Sequence, residues 1–302
     1  TNAALTLGGN GSGVVTINTV AISGAGASIV KTGDSRFDLT STNTFTGGTT
    51  ISDGILRITT GNALGGTGPI AINGTGTLEV SSTLPAAHTW QLSGSATYRT
   101  LNTAGIAGLV SVSPDSNITF EAASATDAYG IANVISGGGG ITGTTITAKG
   151  KGRTSIQNAA NTVLAEWIVD GDPTCILNVD NSLGLGNTAS TVRIKNGSFA
   201  AVNGTIANNI ILNGGILGAM NSRTYSGAVN ALTPSTISVN HVTAPGAPIT
   251  LTNTGVMSGS AAVSVIGVNT NGRLILNNAA NTYSGMMTLG PAAVVRAVGV
   301  GA

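Results

Sequence analysis

The chain has 302 residues, of which 45 are Gly, 41% hydrophobic, 3% aromatic and 8% charged; 12 Lys and Arg against 11 Asp and Glu leave a formal charge of +1. A globular domain is ordinarily about 25% charged, yet Val, Ile and Leu spread along the whole length exclude a disordered chain, which combines high net charge with few branched aliphatics. Cations scattered singly exclude the clustered basic patch that nucleic acid demands, and no run approaches the ~18 apolar residues of a membrane-spanning helix.

In chain order, TNAALTLGG has neither the charged n-region nor the apolar h-region of a secretory signal, so any such signal is expected to have been removed. GVVTINTVAISG (13–24), GILRITT (54–60), PIAINGTGTLEV (69–80), STVRIKNGSFAAV (190–202) and GRLILNN (272–278) alternate apolar and polar residues between Gly or Asn boundaries, which predicts strands. TVLAEWIVD (162–170) has the best helical pattern, but its continuation through DGDP predicts strand, turn and strand.

Internal repetition is the strongest pattern. RFDLTSTNTFTGG, RTSIQNAANTVLAEW and RLILNNAANTYSGM each run from Arg to an aliphatic three residues on and then to Asn-Thr. The asparagines, Asn43, Asn161 and Asn281, lie 118 and 120 residues apart. AISG, VISG and VMSG precede them, ending at Gly24, Gly137 and Gly259. The unit of roughly 120 residues divides one elongated domain, 1–302, into 13–135, 136–256 and a partial 257–302.

Gly or Asn turn signals every few residues break the unit into five or six solenoid coils of roughly 20–25 residues. A dozen or more coils at about 4.8 Å each make a rod of roughly 60–70 Å. Stacked small aliphatics, each contributing about 1.5–3 kcal/mol, suit a narrow core with few aromatics, and Gly and Asn tolerate the φ > 0 of corners. Trp90, Trp167, Tyr98 and Tyr129 are then expected on the surface or at the ends. An all-β solenoid is the expected fold, with a β-sandwich as the alternative.

NTFTGGTTISDGILRITTGNALG (43–65), with echoes at 161–184 and 281–298, resembles the autotransporter-associated β-strand repeat of bacterial passenger domains. The match rests on Asn43, Thr44, Gly47, Gly54, Asn161, Thr162, Asn281, Thr282 and Gly285 as structural repeat positions. The second copy has Val163 and Ala165 in place of the aromatic and glycine, and the third has Pro291 and Ala292 at the turn. The resemblance implies a right-handed parallel β-helix exported to the cell surface or beyond, with no catalytic residues and no cofactor.

Other signals are weak. GxGxxG at Gly138–Gly143 lacks the following helix that a pyrophosphate needs. KGKGR (149–153) reads as a solvated turn. Asp170 and Asp172 with Asp180 are the best candidates for a hard cation; a DGDP turn explains them equally. His88 and His241 stand 153 residues apart, and Cys175 reads as a buried structural thiol. The expected function is that of a non-enzymatic extracellular structural subunit of a fibre, layer or matrix, associating with itself end to end. The alternatives are a glycan- or cell-binding adhesin passenger and, third, a polysaccharide-active enzyme needing paired carboxylates.

Overall fold

The computed structural model describes residues 3–18, 21–84, 88–239, 249–267 and 272–298. Among these, every element is a β-strand and every strand pairing is parallel. The strands form sheets of seven, twelve, eight and five strands, wound into a β-solenoid of about 13 turns. The twelve-stranded sheet runs without a break from Val14–Ile17 to Met257–Gly259. Its register gives coils of 18 to 28 residues, about 22 on average. Thirteen turns at about 4.8 Å make a rod of about 60 Å.

The cross-section changes along the rod. Up to Asn117–Ala122 each coil contributes one strand to the seven-stranded sheet and one to the twelve-stranded sheet, joined on the third side by a strandless arc. From Ala128–Ile131 onward the arc straightens into the eight-stranded sheet. The seven-stranded sheet ends at Ile135–Gly137, and the five-stranded sheet starts at Thr205–Ile206. All five stretches read as strands contain them, and 162–184 holds Glu166–Asp170 and Ile176–Val179. No helix occurs in 162–170.

Alternate side chains point inward and stack on their counterparts one coil away. One column runs Phe37, Leu56, Leu78, Tyr98, Phe120; another runs Ile146, Trp167, Val192, Ile210, Val229, Met257. The expected surface placement of the aromatics is wrong. Trp90, Tyr98, Tyr129 and Trp167 are buried, and Trp90 meets Tyr98 edge-on at 5.6 Å. Two of them place their polar atoms on corner carbonyls, Trp167 Nε1 donating to Leu185 O at 3.0 Å and Tyr98 Oη to Ala104 O at 2.7 Å, whereas the buried Tyr129 hydroxyl has no partner among the described residues. Lys31 also lies inward, between Leu7 and Ile51. Its ammonium donates to the carbonyls of Thr32, Gly33 and Asp53 at 2.9, 2.5 and 3.1 Å. Burial lowers its pKa, opposed by the nearby Asp53 and Asp34 charges.

Charges that look isolated in the sequence meet once the coils stack. On the outer face of the twelve-stranded sheet, Asp38, Arg57, Glu79, Arg99, Glu121 and Lys149 are successive register partners. The sign alternates at every coil. Lys195 pairs with Asp170 at 3.2 Å and Arg193 with Glu166 at 2.8 Å farther along the same sheet. Glu79, whose side chain is 8% exposed, faces Arg36, Arg57 and Arg99 at 3.7, 3.6 and 3.4 Å. An isolated exposed pair is worth under about 1 kcal/mol, but a nearly buried carboxylate shared by three guanidiniums is not isolated. Glu79→Gln is expected to destabilise the fold by about 1–2 kcal/mol at low salt. Urea titrations should show the difference shrinking near 1 M salt, where the screening length falls to about 3 Å.

Candidate functional site

The repeat positions converge on one recurring device, a clamp between coils. Asn43 Oδ1 accepts from Ile22 N at 2.8 Å, while Thr44 N donates to Ile22 O at 2.9 Å. Asn161 and Thr162 do the same to Ile135, at 2.7 and 3.0 Å. Asn281 and Thr282 do it to Met257, at 2.7 and 2.9 Å. In each case the clamped residue is the aliphatic of the ISG or MSG triplet that precedes the repeat. The amide nitrogen then reaches the coil on the other side: Asn43 Nδ2 donates to Ala63 O at 2.5 Å and Asn161 Nδ2 to Gly184 O at 2.8 Å.

The residue type follows from the task. Asn43 and Asn161 lie where the chain has left its strand, so neighbouring backbone groups lack ladder partners and must be paired otherwise. A side-chain amide offers an acceptor and a donor on one short stem, serving the coils on both sides. The triplet glycines Gly24, Gly137 and Gly259 have φ of 133°, 88° and 103°, a region closed to most side chains. Gly47 and Gly285 pass so close to backbone oxygens of the preceding coil, at Gly26 and Ala261, that a Cβ would overlap them. Gly54, with φ of 64°, turns the corner into Ile55–Ile58 against Gly33.

The three clamps do not lie above one another. The strands that open with the repeat arginines belong to three different sheets: Arg36–Leu39 to the twelve-stranded, Arg153–Ile156 to the eight-stranded and Gly272–Asn277 to the five-stranded. Five and one third coils of about 22 residues make about 117 residues, close to the observed intervals of 118 and 120. Each repeat therefore advances the clamp by one side of the rod.

Asp170 and Asp172 line one cavity together with Lys149 and Lys151, and each of the three acidic candidates is already engaged. Asp170 pairs with Lys195. Asp172 accepts from Thr174 Oγ1 and N at 2.6 and 2.7 Å, bonds that hold its pKa below the usual range. Asp180 accepts from Asn178 Nδ2 at 2.6 Å, and its pKa is raised by burial. No group of three or more His, Cys, Asp or Glu able to hold a metal occurs among the described residues. Gly138–Gly143 is a turn, with Gly139 N donating to Thr144 Oγ1. The KGKGR stretch is a corner between Thr145–Gly150 and Arg153–Ile156, with Lys149 inside the charge ladder. His88 is buried with Nδ1 2.8 Å from Gly68 O, and His241 lies outside the described residues.

One further surface was not foreseen. In the five-stranded sheet Thr205, Thr224 and Thr252 are successive register partners, followed by Ile275 and Arg296, and Thr250 stands beside Arg273 and then Val294. A shallow 350 Å³ cavity lies over the hydroxyl row and Arg223, and one of 160 Å³ over Arg273 and Arg296. The register could have been found only by knowing the coil lengths.

Two outcomes test these assignments. Asn161→Ala, which strands a buried N–H and a buried carbonyl, should cost about 2–4 kcal/mol, whereas Asn281→Ala, half-buried, should cost about 1–2 kcal/mol; denaturant midpoints measure both. Burial pushes the Cys175 thiol up to about 12, so it stays protonated at pH 8. A thiol reagent should label it only after unfolding, and rapid labelling of the native chain would contradict its burial.

A protein-family model described as the passenger-associated-transport-repeat matches residues 29–58 and 271–289. No match was found among curated proteins, and none among solved structures. The matched segments contain the Asn43 and Asn281 clamps, so the chain is a β-solenoid with two segments similar to the passenger-associated-transport-repeat.

Proposed function

We propose that this chain is the rigid, non-enzymatic rod of an exported protein, displayed at the bacterial surface or released, and that it adds coil to coil into a fibre, layer or matrix. Its passenger-type repeats support export. The observation that supports the assembly reading is the all-parallel stacking itself: each coil is held by the coils on either side, so a coil without a neighbour presents an open edge. Val15 is the register partner of inward Phe37 yet is 47% exposed, and Leu289, partner of buried Val265, is 54% exposed. Leu5, register partner of buried Ile29, is exposed as well.

Open strand edges with bare apolar side chains are templates for another strand. A coil from a neighbouring segment or a second copy would bury them at about 25 cal/mol per Å². A heterologous contact that does not close on itself propagates into a filament. Electron micrographs of the concentrated chain should show threads much longer than the ~60 Å rod. The Val15→Lys and Leu289→Lys variants should shorten them, and dispersed short rods at every concentration would sink the fibre reading.

A further inference from the structure

Charge is divided unevenly along the rod. Residues 1–180 hold seven Lys or Arg and all eleven Asp and Glu, net −4, whereas residues 181–302 hold five Lys or Arg and no acid, net +5. Arg193 and Lys195 reach back to Glu166 and Asp170. The other three, Arg223, Arg273 and Arg296, all lie in the five-stranded sheet, and none has a carboxylate within ion-pair distance among the described residues. Arg273 and Arg296 are exposed, on adjacent strands and offset by two residues, so that both line the 160 Å³ cavity. Arg223 lines the 350 Å³ cavity, where its guanidinium donates to Ser222 O at 2.6 Å and to Asn203 Oδ1 at 3.4 Å and keeps its charge without a carboxylate partner among the described residues.

We propose that this face binds an acidic polysaccharide, one bearing carboxylate or sulfate groups, laid along the rod axis across the five strands. The site goes beyond the scaffold role and does not depend on whether rods stack. Guanidinium forks bind carboxylate and sulfate through paired hydrogen bonds. The row of Thr205, Thr224 and Thr252, with Thr250 beside it, offers donors and acceptors to sugar hydroxyls. Thr250 and Thr252 are register partners of Arg273 and Ile275, which makes the hydroxyl row and the arginine pair one continuous surface.

Magnitudes favour this ligand over the other polyanions. Five strands span about 19 Å, so three arginines supply about one cation per 6 Å, far below the duplex charge of one per ~1.7 Å. Single-stranded nucleic acid uses aromatic stacking platforms, and neutral sugars also pack on aromatic faces. This sheet's one aromatic, Tyr225, is buried inside. What remains is a sparse anion with many hydroxyls.

The test uses the whole chain with alginate and dextran sulfate as acidic probes, and neutral dextran and single-stranded DNA as comparisons. Calorimetry at low salt should show binding to one or both acidic glycans and none to neutral dextran. Arg273→Gln with Arg296→Gln should weaken it at least tenfold and flatten its salt dependence, with an unchanged melting midpoint. Lys151→Gln, on an exposed corner, should leave binding as it was. Thr252→Val should weaken binding severalfold while leaving the salt dependence intact, which a purely ionic contact would not show. Equal affinity in the double arginine variant, no affinity for either acidic glycan, or equally tight binding of single-stranded DNA would each overturn the assignment.

Discussion

Each coil can be held only by the coils on either side of it, and the rest of the structure follows from that constraint. Where neighbouring coils run as strands, the backbone ladder satisfies it. Where they do not, a side chain must replace the ladder, and the Asn-Thr clamp does so by gripping both the N–H and the C=O of one residue on the preceding coil. A coil without either connection would leave buried polar groups unpaired, at about 1–3 kcal/mol each. The clamp therefore recurs as a structural necessity, and its glycines are small because two backbones meet there.

The same constraint explains why the repeat interval is not a whole number of coils. Had each unit been five full turns, all clamps would lie on one side and the remaining sides would depend on strand pairing alone. At five and one third turns the three clamps fall on three sides, each beside a different sheet. The change of cross-section near Ala128–Ile131 fits this pattern: the arc that Asn43 holds in the early coils becomes the eight-stranded sheet in the later ones.

Period-2 alternation, Gly and Asn corners and the triplicated Asn-Thr dipeptide made the solenoid legible in the sequence, because each is a local rule with a local signature. The partners were partly legible too, since the ISG and MSG triplets recur upstream and supply the clamped Ile22, Ile135 and Met257. What could not be read depends on register. Asp38, Arg57, Glu79 and Arg99 are about 20 residues apart and look unrelated, and a difference of one residue in any coil would turn them to the other face. Low aromatic content does not mean that a narrow core excludes aromatics. Trp167 and Tyr98 instead show that a corner carbonyl within reach is enough to admit a large polar ring. Lys31 enters the core on the same terms, with three carbonyls receiving its ammonium.

Register also separates two uses of charge on one rod. Over the first half, alternation of sign at each coil of the twelve-stranded sheet sets Asp38, Glu79 and Glu121 beside the cations of neighbouring strands, so the ladder consumes its own charge in holding the stack. Beyond Asp180 no carboxylate is available. The strands there are held by backbone ladders, the Ser222 hydroxyl that accepts from Thr250 N and the Asn281 clamp instead. Arg273 and Arg296, which pair with no carboxylate among the described residues, add little to the fold and repel one another at this spacing. Their placement on one sheet, beside threonines in register, is better accounted for by what lies outside the rod than by the packing within it.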